Sequence, residues 1–329
     1  MICHFSLLNA YWVFFTFIII LLHIISLLPE NKYTNYVITN FYYYGKARTN
    51  KNLKNLSLHR LLSYPKKLFY TFYILAVFWF AYLFYFLIAV YMLNKHPPYI
   101  MSILRYSCVE FNKRSTNIDE LITRIYLVCF LMMCHTSRRL YECIFISIYS
   151  SDAKTSKISI SHLILGYTYY IMLGLSLISA APQIDRWKKP IFRMNFNHLM
   201  GFNILFGVGL FVLANISQFK CHTILANLRK DNKDKIINRN SYFIPRGFLF
   251  EYVTCPHYFC EILIYISTCL ILVGNYGYEN YSTFLTWYLA SFFVVTNQIC
   301  AAIMQHDWSI KKFGAAYPTN RKAIIPFVI

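Results

Sequence analysis

Three short stretches place ionisable side chains at helical spacing inside or beside long apolar runs. In "CHTSRRLYEC", His135, Arg138, Arg139 and Glu142 fall at i, i+3, i+4 and i+7, so a helix puts all four on one face. In "SQFKCHTILANLRK", Gln218, His222 and Arg229 fall at i, i+4 and i+11 along one stripe. In "CPHYFCEILIYIS", His257 and Glu261 lie one turn apart, and Pro256 suits the first turn of the helix that carries them.

These residue types allow anion binding beside a buried carboxylate. Planar guanidinium groups match phosphate oxygens bidentately. In the first stretch one carboxylate stands against two arginines and a histidine, which leaves one arginine uncompensated and favours a cavity facing an anion. The plainer alternative is that Arg138 pairs with Glu142 and only eases the helix out of the membrane. Lys220, Arg229 and Lys230 have their own plain reading, as anchors to anionic lipid. Glu261 sits deeper in an apolar run and needs hydrogen-bond donors there. A carboxamide or sugar hydroxyl of a bound cofactor supplies them as well as a protein side chain does. His257, taken alone, reads as a structural histidine at a helix start. His306, just beyond the last apolar run, is a further polar candidate.

The elements that must hold these residues are membrane helices. Of the 329 residues 57% are apolar and 14% charged, and the apolar ones fall in long blocks without alternation. Seven stretches, roughly 10–28, 68–93, 121–149, 158–181, 198–219, 257–273 and 281–304, approach the ~20 residues that cross a bilayer. The first has no preceding basic residue and no small-residue cleavage site, and so reads as a span, not a leader. The net charge of +19 raises nucleic acid as a partner, but Lys and Arg concentrate in the loops 29–67 and 220–256 while 274–280 carries none. The positive-inside rule accounts for that alternation, with the N-terminus lumenal and the C-terminus cytosolic, and no nucleic acid is expected. The ten cysteines form no C-x-x-C pair and read as buried thiols, and no metal site is expected. No linker or repeat divides the chain, so residues 1–329 read as one polytopic all-α domain. The expected architecture is a seven-helix bundle with a cofactor cavity open to the cytosolic side.

The order and spacing of "YYGKA", "SRRLYECIFISIYS", "QFKCHTILANLRK" and "IPRGFLFEYVTCPHYFCEILIYIS" resemble the steroid 5α-reductase family, most of all its polyprenal/polyprenol reductase branch. The branch resemblance rests on Arg138-Arg139 followed by Glu142, on "KCHTILANLRK" and on "PKKLFYTFY". The family block nearest the C-terminus covers about 198–329. The resemblance implies an NADPH-dependent reduction of a carbon–carbon double bond in the endoplasmic reticulum membrane. It also implies a long-chain isoprenoid lipid as substrate, with dolichol for protein N-glycosylation as the end product and no obligate protein partner. Tyr44 and Lys46 match a segment at the cavity mouth, and Arg139, with Arg138 beside it, a coenzyme-contacting arginine. Gln218, His222, Arg229 and Tyr242 match the coenzyme stripe, His257 and Glu261 the pair near the nicotinamide, and His306 a histidine near the tail. The chain departs from the steroid-reducing members at the positions that grip a substrate carbonyl, where Thr71, Phe72 and Thr136 stand. It departs again at His222, where those members carry an aspartate, and at Trp308-Ser309 in the tail. These departures argue against a steroid and leave Tyr73, Tyr70 and His135 as candidate acids. Three other readings compete: steroid reduction itself, a non-enzymatic seven-span receptor or channel, and an isoprenylcysteine-type methyltransferase. The receptor does not call for three basic-polar stripes converging on the cytosolic side, and the methyltransferase does not call for Arg138, Arg139 and Arg229.

Overall fold

The computed structural model describes residues 6–29, 31–42, 63–65, 68–93, 95, 99, 102–103, 118–149, 157–179, 196–230, 236, 242–273 and 281–329. Each apolar run becomes one long helix: α1 (Leu7–Leu27), α3 (Phe69–Tyr91), α4 (Ile118–Tyr141), α5 (Ile160–Ile178), α6 (Phe202–Asn227), α7 (Pro256–Leu272) and α8 (Tyr281–Phe313). A short α2 (Lys32–Val37) follows α1. In hydrocarbon a helix satisfies its own backbone polar groups, so unbroken apolar runs fold this way. Among the described residues five helices, namely α1, α3, α5, α6 and α8 with the turn after it, are long and apolar enough to cross a membrane. The seven expected spans differ from these at two places. Helix α4 carries Asp119, Glu120, Arg124, Arg138 and Arg139, and α7 is only 17 residues long. The chain is a multi-pass, mostly helical membrane protein.

The apolar core draws on α1, α3, α4, α5, α6, α7 and α8, and Trp12, Phe80, Leu83, Leu87, Met132 and Trp287 are wholly buried in it. Within it the Trp12 indole donates to Ser176 Oγ at 2.8 Å. Most of the free cysteines among the described residues are buried, as expected of thiols within spans.

Helices α6 and α7 pack more extensively on each other than any other pair. Gly207 permits this approach, since a Cβ there would stand 3.0 Å from the Ser267 carbonyl and 2.7 Å from Ile271 Cγ1. Arg124 of α4 and Asn203 of α6 both donate to carbonyls at the C-terminal end of α7, including Arg124 Nη1 to Ile271 O at 2.8 Å. These bonds meet the orphan carbonyls of that helix end and lock three helices together.

Helix α4 runs directly into a wider π-helical turn, Glu142–Ile146, closed by Ser147 N–H to Glu142 O at 2.8 Å. Pro256 opens α7 as its first residue, where a missing N–H costs no hydrogen bond. The chain end folds back on that start: Thr254 N–H donates to Lys322 O at 2.8 Å and Cys255 N–H to Ala323 O at 3.1 Å. A two-stranded antiparallel pair, β1 (Ser63–Pro65) and β2 (Lys157–Ser159), sets Tyr64 opposite Ile158 just ahead of α5.

Candidate functional site

The three polar stretches of the sequence meet where α4, α6 and α7 adjoin. Glu142 is fully buried and accepts from Nη1 of both Arg138 and Arg139, and it also faces His222 Nδ1 at 2.7 Å. Arg138 reaches onward to α6, donating from Nε to Asn215 Oδ1 at 3.0 Å and from Nη2 to Gln218 Oε1 at 2.5 Å. Gln218 turns its amide to α7, donating to Glu261 Oε2 at 2.6 Å and to the His257 carbonyl at 3.0 Å. His135 closes the ring, with Nδ1 at 3.0 Å from Asn215 Oδ1 and Nε2 at 3.5 Å from Glu261 Oε1. The helical spacing read in the sequence therefore does place each group on one face, and the faces converge.

Two expectations change. The second arginine is not left over, because Glu142 takes both. The full cluster sets Arg138 and Arg139 against Glu142 and Glu261. Glu261 has its hydrogen-bond donor from the protein itself, through Gln218, and so is satisfied without a bound molecule. A low-dielectric site makes such a balanced, fully bonded cluster rigid.

Beside this network lies a cavity of about 630 Å³. Its polar lining comes chiefly from α6, α7 and the C-terminal segment: Gln218, His222, Arg229, His257, Glu261 and Arg321. Most of its apolar lining comes from α1, α3, α5 and α8, with Leu22, Phe72, Leu165, Gly166, Tyr169 and Phe293 among the contributors. Arg139 and Tyr73 stand where these walls join. Arg139 Nε donates to Tyr73 Oη at 3.2 Å, and its guanidinium lies 5.1 Å from the centre of that ring.

The expected site residues separate by position. Tyr73, Arg139, Gln218, His222, Arg229, Tyr242, His257 and Glu261 line the cavity. Arg138 and His135 lie behind them, and His135 is only 2% exposed. His306 is also one layer back, its Nδ1 2.6 Å from Thr254 Oγ1, and that hydroxyl lies 2.5 Å from Tyr317 Oη. Tyr70 is not part of the wall. Tyr44 and Lys46 fall outside the described residues.

Arg229, two residues beyond the end of α6, donates to the Ile148 carbonyl, and no carboxylate among the described residues lies within ion-pair distance of it. Burial lowers the pKa of Arg229 and raises that of the Tyr242 phenol, and the attraction between the two charged forms works against both shifts. Arg321 is 2% exposed, donates to the Pro245 carbonyl at 2.8 Å and pairs through Nη2 with Glu251 Oε2 at 3.4 Å, while its buried Nε has no hydrogen-bond partner among the described residues. Arg321, Tyr169 and Tyr170 also line the cavity, and spacing did not mark them.

Fold and site together define a multi-pass membrane protein whose helices line a cavity with a cationic side and an apolar side. The family model for 3-oxo-5-alpha-steroid 4-dehydrogenase matches residues 156–329. The chain belongs to this family and is an oxidoreductase acting on carbon–carbon double bonds. It is similar to the polyprenal reductase of Homo sapiens, 30% identical over 329 residues that cover 98% of this chain and 95% of that one. It is likewise similar to the polyprenal reductase of Danio rerio, at 33% identity over 295 residues covering 89% and 88%. That of Ailuropoda melanoleuca is 32% identical over 287 residues, covering 87% and 84%.

Proposed function

We propose that this chain is an NADPH-dependent polyprenal reductase, saturating the α-isoprene double bond of a long-chain polyprenal to give dolichal on the route to dolichol for protein N-glycosylation. The observation that carries this reading is a cavity bounded by arginines on one side and by apolar helix faces on the other. It suits a phosphate-bearing coenzyme together with a lipid, and the similar chains are polyprenal reductases.

The donor set fits the coenzyme. Arg229 has no carboxylate partner among the described residues, and Arg321 keeps an unbonded buried Nε, which a phosphate oxygen satisfies. When bound, NADPH supplies a hydride. Arg229, Arg321 and Tyr242 would hold its phosphates, and His222, His257 and Glu261 would orient its nicotinamide end. Arg138, Gln218 and His135 are positioning residues that keep Glu261 and His222 in place, and His306 does the same for Thr254. Tyr73 is the group that acts on the substrate carbonyl. It lines the cavity while His135 does not, and Arg139 Nε, by donating to its oxygen, leaves the phenolic proton free to point away. A cation beside a phenol strengthens it as a hydrogen-bond donor to an aldehyde oxygen that gains negative charge.

That role favours the aldehyde over the alcohol as substrate, because only a conjugated carbonyl takes up the charge that hydride addition creates. The entire chain, 1–329, acts as one unit of the endoplasmic reticulum membrane, with its N-terminus lumenal, its C-terminus and coenzyme entrance cytosolic, and the isoprenoid tail in the bilayer. The test is to incubate purified protein with NADPH and, separately, polyprenal, polyprenol and a 3-oxo-Δ4 steroid, following NADPH loss and product mass. Consumption with polyprenal and formation of the dihydro aldehyde is expected. Turnover of the steroid alone, or of nothing, overturns the reading.

A further inference from the structure

Phe72 stands on α3 next in sequence to Tyr73, and both line the cavity. Its ring reaches across to α5 and ends on the backbone of Gly166. A Cβ at that position would stand 2.8, 2.9 and 3.0 Å from ring atoms Cζ, Cε2 and Cε1. Real Cβ atoms do not approach carbon so closely, so the ring occupies the space that any other residue at position 166 would fill. Helix interiors disfavour glycine, and here the missing side chain has a steric use.

The other directions open to the ring are restricted. It meets Phe69 edge-on at 5.2 Å between centres and Tyr167 at 5.0 Å and 88°. Tyr167 is itself tied to α3 through its hydroxyl, 2.6 Å from Thr71 Oγ1. Phe72 is 4% exposed, and its remaining open side is the cavity, which Gly166 also lines. A side chain at position 166 therefore moves the ring into the cavity, beside Tyr73.

We propose that Gly166 is a specificity-determining residue: by seating the Phe72 ring against α5 it keeps the width that a methyl-branched, α,β-unsaturated aldehyde needs beside Tyr73. This rests on the polyprenal reading above. The isoprene unit carries a methyl on its β-carbon, and a linear 2-alkenal does not. In a packed pocket one such carbon discriminates substrates by roughly 10- to 200-fold.

The experiment compares unmodified protein, G166A, F72A and F72A/G166A in detergent or nanodiscs, using polyprenal and a linear 2-alkenal. Each aldehyde is scored by KM, or by its inhibition constant if it is not reduced, and NADPH affinity is the control for an intact fold. G166A is expected to raise the polyprenal KM about tenfold, near the lower bound for one carbon, with the linear aldehyde and NADPH within about twofold. F72A/G166A is expected to return close to F72A alone, because the ring that alanine displaces is gone. If G166A does not fold, F72W enlarges the same ring from α3 and is expected to shift selectivity in the same direction. An unchanged polyprenal KM, an equal rise for both aldehydes, or no recovery in the double variant overturns the assignment. Reduction of the steroid instead of polyprenal by unmodified protein overturns the functional reading alone. Gly166 is then scored on the steroid, where an unchanged KM in G166A overturns its role.

Discussion

Replacing Glu142 by glutamine keeps the shape of the side chain and removes its charge. In the native site the carboxylate is fully buried, accepts from one nitrogen each of Arg138 and Arg139, and faces His222. A glutamine keeps one oxygen for one guanidinium and turns an amide N–H2 toward the other, losing a hydrogen bond to a charged group worth about 1.5–3 kcal/mol. It also leaves two buried cations against the single carboxylate Glu261, and breaking a buried pair this way costs about 3–5 kcal/mol in all. The double variant R138M/E142Q restores one cation to one carboxylate, and should recover about 2 kcal/mol of that loss through coupling within the network. Reversible unfolding in mixed micelles, driven by increasing SDS and followed by circular dichroism, gives the free energy of each variant. A loss below about 1 kcal/mol in E142Q, well short of the buried-pair cost, would refute the charge-balance argument. So would a double variant whose loss is the simple sum of R138M and E142Q.

The remaining predictions concern the cavity and the packing behind it. Y73F removes the hydroxyl that Arg139 holds, and should lower kcat about 100-fold, the low end for general acid catalysis, while NADPH affinity stays put. Equal losses in kcat and NADPH affinity would point to a structural role instead. R229Q and R321Q should each weaken NADPH binding about tenfold in a fluorescence titration, consistent with losing one charge-assisted bond, and leave NADH binding far less affected if either arginine meets the extra phosphate. E261Q should reduce turnover by loosening the place that Gln218 and His135 fix, and unchanged kcat and affinity in that variant would remove Glu261 from the site. G207A should destabilise the protein by about 1–3 kcal/mol, because its Cβ meets the fixed Ser267 carbonyl and must push α6 off α7.

Much of the site was legible because helical periodicity is a local property. His135, Arg138, Arg139 and Glu142 share a face whatever packs against them, and an ionisable group in an apolar run must find partners. The places of the long helices followed from the apolar blocks for the same reason, and Pro256 marked the start of α7, but α4 stops at Tyr141 while α6 and α8 run on to Asn227 and Phe313, beyond the apolar stretches expected to end at 219 and 304. What spacing left open was which partner each charge takes. Two arginines against one local carboxylate looked like a surplus, yet Glu142 accommodates both, and the second anion is supplied from a helix more than a hundred residues away in sequence. The tail residue Arg321 joins the cavity only because the 322–323 backbone pairs with residues 252–255.

The sequence by itself determined a multi-pass helical membrane protein with three polar stripes, since composition and period act within each segment. Only the tertiary structure decided that these stripes close into one charge-balanced network, and that Tyr73 rather than His135 faces the cavity. It also decided that the ring of Phe72 rests on Gly166. Those outcomes depend on distances between helices, which are set by small contacts such as Gly207 against Ser267 and are invisible to any pattern along a single helix.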